Sequence, residues 1–162
     1  MSEAEVPSLQ IVPFEPRYRR AFYELNKAWI DAYFTMEPKD HESLEHPERS
    51  VLKPGGQILV ALVADKPVGV CALMVCDRPG YRFELAKMGV DPAYRGRGIG
   101  KALCLAALDL ARELGARKVF LESNTVLEPA IGLYRSLGFR EVTVGASPYR
   151  RSNIQMAVEL DQ

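Results

Sequence analysis

The sequence is poor in several features that would each have named a function class. Among 162 residues there are only three cysteines, Cys71, Cys76 and Cys104. They are odd in number and have no metal-ligand spacing, so no disulfide framework or zinc site is implied, which suits a reducing, cytoplasmic setting. The two histidines, His41 and His46, are five apart, a spacing that fits no zinc motif. They read as surface residues, and no metal is expected. Net charge is absent: 21 Lys+Arg balance 21 Asp+Glu. Nothing global draws the chain to nucleic acid or to an acidic membrane. No apolar run approaches 18 residues and the first residues are acidic and polar, so neither a membrane span nor a signal peptide is expected. Repeats, low-complexity runs and linkers are missing too.

What is present is the balance of a globular chain, 48% hydrophobic and 26% charged. The length fits one domain over residues 1–162, with 1–8 as a loose tail. Leu9–Pro13 reads as a short strand. Phe22, Leu25 and Trp29 fall on one face of a helix starting near Arg17. Residues 31–36 read as a loop or broken helix, and Pro38 opens a second short helix. The period then changes to that of strands: Ile58–Ala64 and Val68–Cys76 as a hairpin, then Tyr81–Val90. An amphipathic helix over Lys101–Leu114 ends at Gly115. A strand at Lys118–Glu122, a helix near Glu128–Leu137 and strands at Phe139–Val144 and Ile154–Leu160 complete the chain. The pattern is that of an α/β sandwich, part antiparallel and part βαβ, with a right-handed crossover through the central helix.

The chemistry concentrates at Arg95-Gly96-Arg97-Gly98-Ile99-Gly100-Lys101, between a strand and a helix. Glycines let backbone N–H groups converge, and a helix N-terminus adds free N–H groups and partial positive charge. Residues 95–118 hold six basic and two acidic side chains, a local excess in a neutral protein. This is a phosphate site. It is not a dinucleotide fingerprint, because the glycines are spaced two and two and lie late in the chain. It is not a Walker loop either, since Ala102 stands where a magnesium-binding hydroxyl is required.

The stretch Asp91–Leu103 resembles the pyrophosphate-binding motif of the GNAT N-acetyltransferases. A second signature of that family is matched by Leu121-Glu122-Ser123-Asn124 and by Ala130–Phe139. The resemblance implies an acyl-CoA N-acyltransferase fold: a mixed six- to seven-stranded sheet with helices on both faces and splayed central strands. It implies acetyl-CoA as cosubstrate, with Met88, Gly89 and Val90 bonding its pantetheine arm and residues Arg95 through Lys101 holding its pyrophosphate. Gly89 is a candidate for the family's strand bulge, with core crowding as the alternative. Tyr134 matches the tyrosine that faces the CoA sulfur, and Asn124 an asparagine beside the CoA arm. Asn124 reads equally as a cap or turn residue.

Glu84 is placed like the glutamate that serves as base in part of the family. Strict alternation would point it the same way as Met88 and bury it enough to raise its pKa. On the acceptor side the fold implies walls from Trp29–Glu37 and Tyr149–Asn153. Trp29, Tyr33, Glu37, Tyr149 and Arg151 are the candidates, with aromatics for a cationic amine and Arg151 for a substrate carboxylate. The expected acceptor is a small amine, amino-acid-like or polyamine-like. A protein N-terminus or lysine is the alternative, and a non-catalytic acyl-CoA-binding module the second. No nucleic-acid or membrane partner is expected, and a homodimer through the C-terminal strands is left open.

Overall fold

A computed structural model describes residues 8–160; the expected tail at 1–8 lies almost wholly outside them. Seven strands form one sheet in the order β1-β2-β3-β4-β5-β7-β6. They are β1 (Leu9–Pro13), β2 (Gln57–Val63), β3 (Lys66–Val75), β4 (Phe83–Val90), β5 (Lys118–Ser123), β6 (Arg140–Val142) and β7 (Ile154–Glu159). Strands β1 to β4 run antiparallel by successive pairing, β4 and β5 are parallel, and β5, β7 and β6 are again antiparallel. Four helices cover the sheet: α1 (Arg19–Tyr33), α2 (Pro38–Glu45), α3 (Ile99–Glu113) and α4 (Glu128–Ser136). This is the expected mixed sheet with helices on both faces.

Each face is held by its own core. Leu103, Ala107 and Ala111 of α3 pack with Ile131 of α4 against Cys71, Leu73, Leu85, Val119 and Met156. Phe22 and Ile30 of α1 and Leu44 of α2 pack against Ile58, Val60, Val70 and Ala72. The alternation of the strands therefore reads as two apolar faces, which is why β2 and β3 are nearly continuous hydrophobic runs. Helix α1 carries Trp29 as expected and continues through Tyr33, so Tyr33 stands on a helix rather than in the loop expected from residue 31.

The centre of the sheet departs from regular pairing. Strands β4 and β5 pair only at Phe83–Val119 and Glu84–Phe120, after which they splay apart. On the other edge of β4 the register slips: Val70 opposes Gly89, but Ala72 opposes Ala86. Lys87 and Met88 thus share one opposing position, and Lys87 has φ +53°. The bulge lies at Lys87–Met88, not at Gly89. An extra residue reverses the faces beyond it. Phe83 and Leu85 face α3, yet so does Met88, whose sulfur is 3.5 Å from Cys104 Sγ. Glu84 therefore points away from Met88, toward the α1 side, contrary to unbroken alternation.

Gly89 serves a different purpose. A Cβ there would lie 2.7 Å from the carbonyl oxygen of Leu25 and 3.2 Å from the Trp29 ring. Its lack of a side chain lets α1 approach the sheet. A Gly89→Ala substitution must push backbone, and is expected to cost about 2 kcal/mol. That is roughly 4–8 °C in Tm for a chain of this size, measured by thermal unfolding; an unchanged Tm would refute the close-approach account.

Candidate active site

The splay of β4 from β5 opens a cleft of about 600 Å³. It runs from the glycine loop to the ends of α1 and the β6–β7 connection. At one end, Asp91 accepts a hydrogen bond from the Ala93 N–H at 2.9 Å and starts a short turn over Pro92–Tyr94. Gly96 and Gly98 follow with φ +78° and +76°, a conformation L side chains rarely adopt. No atom lies within 4 Å of where their Cβ atoms would sit, so backbone shape, not crowding, demands glycine. The first intrahelical bond runs from Ala102 N–H to the Gly98 carbonyl at 3.0 Å, leaving the preceding amides of α3 without helical partners. Arg95 and Lys101 line the cleft and make no ion pair among the described residues. Arg97 does not line it; its guanidinium lies 4.9 Å from the centre of the Tyr94 ring.

In the middle, Met88, Gly89 and Val90 present the edge of β4 that β5 has left. Tyr134 enters from α4, packed 5.7 Å from Phe139, and burial pushes its phenol well above its ordinary pKa. Asn124 lines the same cleft, but both its polar atoms have internal partners. Its Nδ2 donates to the Arg151 carbonyl at 2.7 Å and its Oδ1 accepts from Val126 N–H at 2.8 Å. It behaves as the turn residue that the sequence also allowed.

The far end holds Glu84, Glu122, Trp29, Tyr33, Tyr149 and Arg151. Glu84 has no hydrogen bond or ion pair among the described residues. Burial, reinforced by the nearby Glu122 carboxylate, lifts its pKa to about 7, against the pull of Lys87 and Arg78. Glu122 is by contrast fully engaged, by Arg78 at 3.3 Å, Ser147 Oγ at 3.0 Å and Gln155 Nε2 at 2.9 Å. The Trp29 indole donates to Asn26 Oδ1 at 2.9 Å, and Asn26 in turn bonds the Phe22 carbonyl at 3.0 Å, which fixes the ring on α1.

Two residues that the sequence reading passed over organise this end. Asp40, wholly buried, accepts from Lys87 Nζ at 2.6 Å and from both terminal nitrogens of Arg151 at 2.6 Å. Lys87 also reaches the Tyr149 hydroxyl at 3.1 Å. Arg151 is therefore a structural fork on Asp40, not a vacant receptor for a substrate carboxylate. Glu37 does not line the cleft: its Oε1 accepts from the Arg150 N–H at 2.9 Å and it lies 3.5 Å from Arg151. The signal that could have revealed Lys87 was its spacing. Glu84 and Lys87 are three apart in an apolar strand, so one would face the core unless the strand bulges.

The profile of the Acetyltransferase (GNAT) family matches residues 19–139. N-alpha-acetyltransferase RimI of Mycobacterium tuberculosis is 45% identical over 74 residues, 46% of this chain and 45% of that protein. The matched stretch spans under half the length of this and other curated relatives. A GNAT-family acetyltransferase structure from Staphylococcus aureus superposes with TM-score 0.84 at 24% identity, over 95% of this chain and all of that one. The yncA structure from Salmonella typhimurium, described with its cofactor acetyl-CoA, gives TM-score 0.75 at 22% identity over 96% and 95%.

Burial alone would raise the Asp40 pKa. The bonds from Arg151 and Lys87 overcome it and draw the group down to about 2. Its stabilising contribution is thus complete above about pH 4 and is lost as pH falls toward 2. Asp40→Asn strands two buried cations and is expected to cost about 3–5 kcal/mol. Denaturant unfolding across pH 2–7 checks this: the variant should lose the acid limb that wild type shows between pH 4 and 2, and equal stabilities would overturn it. The profile match, the splayed β4–β5 cleft and the glycine loop at its mouth agree: the chain belongs to the GNAT acetyltransferase family.

Proposed function

We propose that the protein moves the acetyl group of acetyl-CoA to the primary amine of a small molecule, by direct transfer in a ternary complex. The observation that carries this reading is the polarity of one cleft: Arg95 and Lys101 at the phosphate loop and Glu84 at the other end, all without an ion-pair partner among the described residues. The acetyl-CoA described for the yncA structure supports the choice of cosubstrate.

In this mechanism the loop amides, Arg95 and Lys101 take the pyrophosphate, with Gly96, Gly98, Ile99 and Gly100 shaping the cradle. The free edge at Met88–Val90 takes the pantetheine arm, and a backbone N–H near Val90 polarises the thioester carbonyl. Glu84 accepts a proton from the incoming ammonium, directly or through water. The amine nitrogen then bonds to the acetyl carbon and gives up its second proton to solvent water as the carbon–sulfur bond breaks and Tyr134 donates its own proton to the departing thiolate. Tyr134 regains a proton from solvent, and Glu84 returns one to it. A carboxyl near pH 7 and a phenol kept neutral by burial suit those two roles.

The match to RimI supports a second reading, transfer to a protein N-terminus. The pinned β6–β7 connection favours the small acceptor: Arg151 on Asp40, Arg150 on Glu37 and Ser147 on Glu122 close that wall.

Isothermal titration of acetyl-CoA, with CoA alongside, tests the reading first. Saturable one-to-one binding at micromolar affinity is expected. No binding by folded protein up to millimolar acetyl-CoA would sink it. For the base, kcat/KM for an accepted amine should fall below an apparent pKa of about 7. In Glu84→Gln it should drop about 100-fold or more and lose that limb; an unaltered pH profile would remove Glu84 from the role.

A further inference from the structure

The charges around the acceptor end define which amines it accepts; this inference rests on the acetyltransfer reading above. Three cations surround that end, Lys87, Arg151 and Arg78, and four carboxylates, Asp40, Glu37, Glu122 and Glu84. Every cation is already matched. Lys87 and Arg151 both bond Asp40 at 2.6 Å, Arg151 also lies 3.5 Å from Glu37, and Arg78 pairs with Glu122 at 3.3 Å. Lys87 and Arg151 expose only 3% and 12% of their side chains, so neither can swing to a new partner without breaking a buried bond. Of these four carboxylates, Glu84 alone has no partner among the described residues.

A substrate carboxylate beside the reacting nitrogen would thus meet Glu84 and Glu122, with Lys87, Arg151 and Arg78 all engaged elsewhere and Arg95 and Lys101 at the opposite end of the cleft. Like charges brought together in a site of low polarity repel one another strongly. Aromatic side chains form part of the remaining lining. Tyr33 and Phe34, at the end of α1, line the mouth, and Tyr33 is 52% exposed. The Trp29 and Tyr149 rings already carry Arg151 at 5.6 and 4.6 Å.

We propose that the acceptor is a primary amine with an apolar or aromatic body and no carboxylate on the carbon that bears the nitrogen. Glu84 selects it by charge, and the engagement of Arg151 and Lys87 by Asp40 excludes free amino acids. The specificity-determining residue is then Asp40, which touches no substrate but silences both cations.

Three compounds that differ at one substituent test this: phenethylamine, phenylalaninol and phenylalanine, with thiol release from acetyl-CoA as readout. The expected result is a kcat/KM at least 100-fold higher for phenethylamine and phenylalaninol than for phenylalanine. Asp40→Asn, which frees Arg151, should narrow that ratio at least tenfold; the wild-type comparison stands even where this variant fails to fold. A phenylalanine rate equal to or above the other two overturns the proposal. So does release with none of the three by protein that binds acetyl-CoA, including the case in which peptide N-termini react instead. Failure to bind acetyl-CoA at all is a separate result, and it refutes the underlying acetyltransfer reading.

Discussion

A single buried carboxylate, Asp40, ties together the end of the cleft that lies away from the glycine loop. It comes from the first turn of α2 and binds one cation from the central strand and one from the β6–β7 connection. These partners are 47 and 111 residues away. Either cation alone in that position would carry a desolvation penalty of several kcal/mol. With Asp40 and Glu37 the group is neutral. The same attachment accounts for the backbone of Lys87. A non-glycine residue at positive φ costs about 1–3 kcal/mol and persists only where its surroundings over-determine it. Here an ion pair at 2.6 Å and the Tyr149 hydroxyl do so.

From that bulge the rest of the site follows. One extra residue reverses the faces of β4, turning Met88 to the α3 core while Lys87 and Gly89 meet the α1 side. The strand bends from β5 after two paired positions, and the gap between them is the cleft. Its floor carries two glutamates that the surroundings treat differently. Glu122 has three donors, whereas Glu84 has none and is pushed toward neutrality by burial. Environments that drive two like groups apart in this way suit them to separate tasks, structural for Glu122 and, in the mechanism proposed above, chemical for Glu84.

How much of this could be read from sequence depends on the range of the signal. The glycine loop, α3 and the β2–β3 hairpin were legible because each is announced within about ten residues: glycines before an apolar 3–4 spacing, or two apolar runs about a turn. Tyr134 and Glu84, both singled out through the family resemblance, line the cleft. The bulge was expected in this strand, but its place was not: it lies at Lys87–Met88, where Lys87 meets Asp40, in sequence only an acidic residue opening a short helix. Gly89 drew attention as the glycine of the strand, but its task is to admit the Leu25 carbonyl, and that neighbour is unreadable from β4. Arg151 was seen to have the geometry of a carboxylate fork. The carboxylate it grips belongs to the protein.

The two halves of the cleft are built from different materials, and this explains the reach of the family resemblance. The phosphate end is made of backbone shape: positive φ at two glycines and the unpaired amides of a helix start. Such a device is contiguous in sequence, tolerates change around it and is readily matched. The acceptor end is made of side chains from distant elements, and the profile match stops at residue 139, before Tyr149 and Arg151. The portion shared with the family thus contains the phosphate loop, Glu84 and Tyr134, while the wall that faces the acceptor lies partly beyond it. A fold can keep one chemistry and vary its substrate when the two are encoded this separately. In this chain the separation is bridged at Asp40, within the matched stretch, whose carboxylate grips Lys87 of the central strand and Arg151 of the β6–β7 connection.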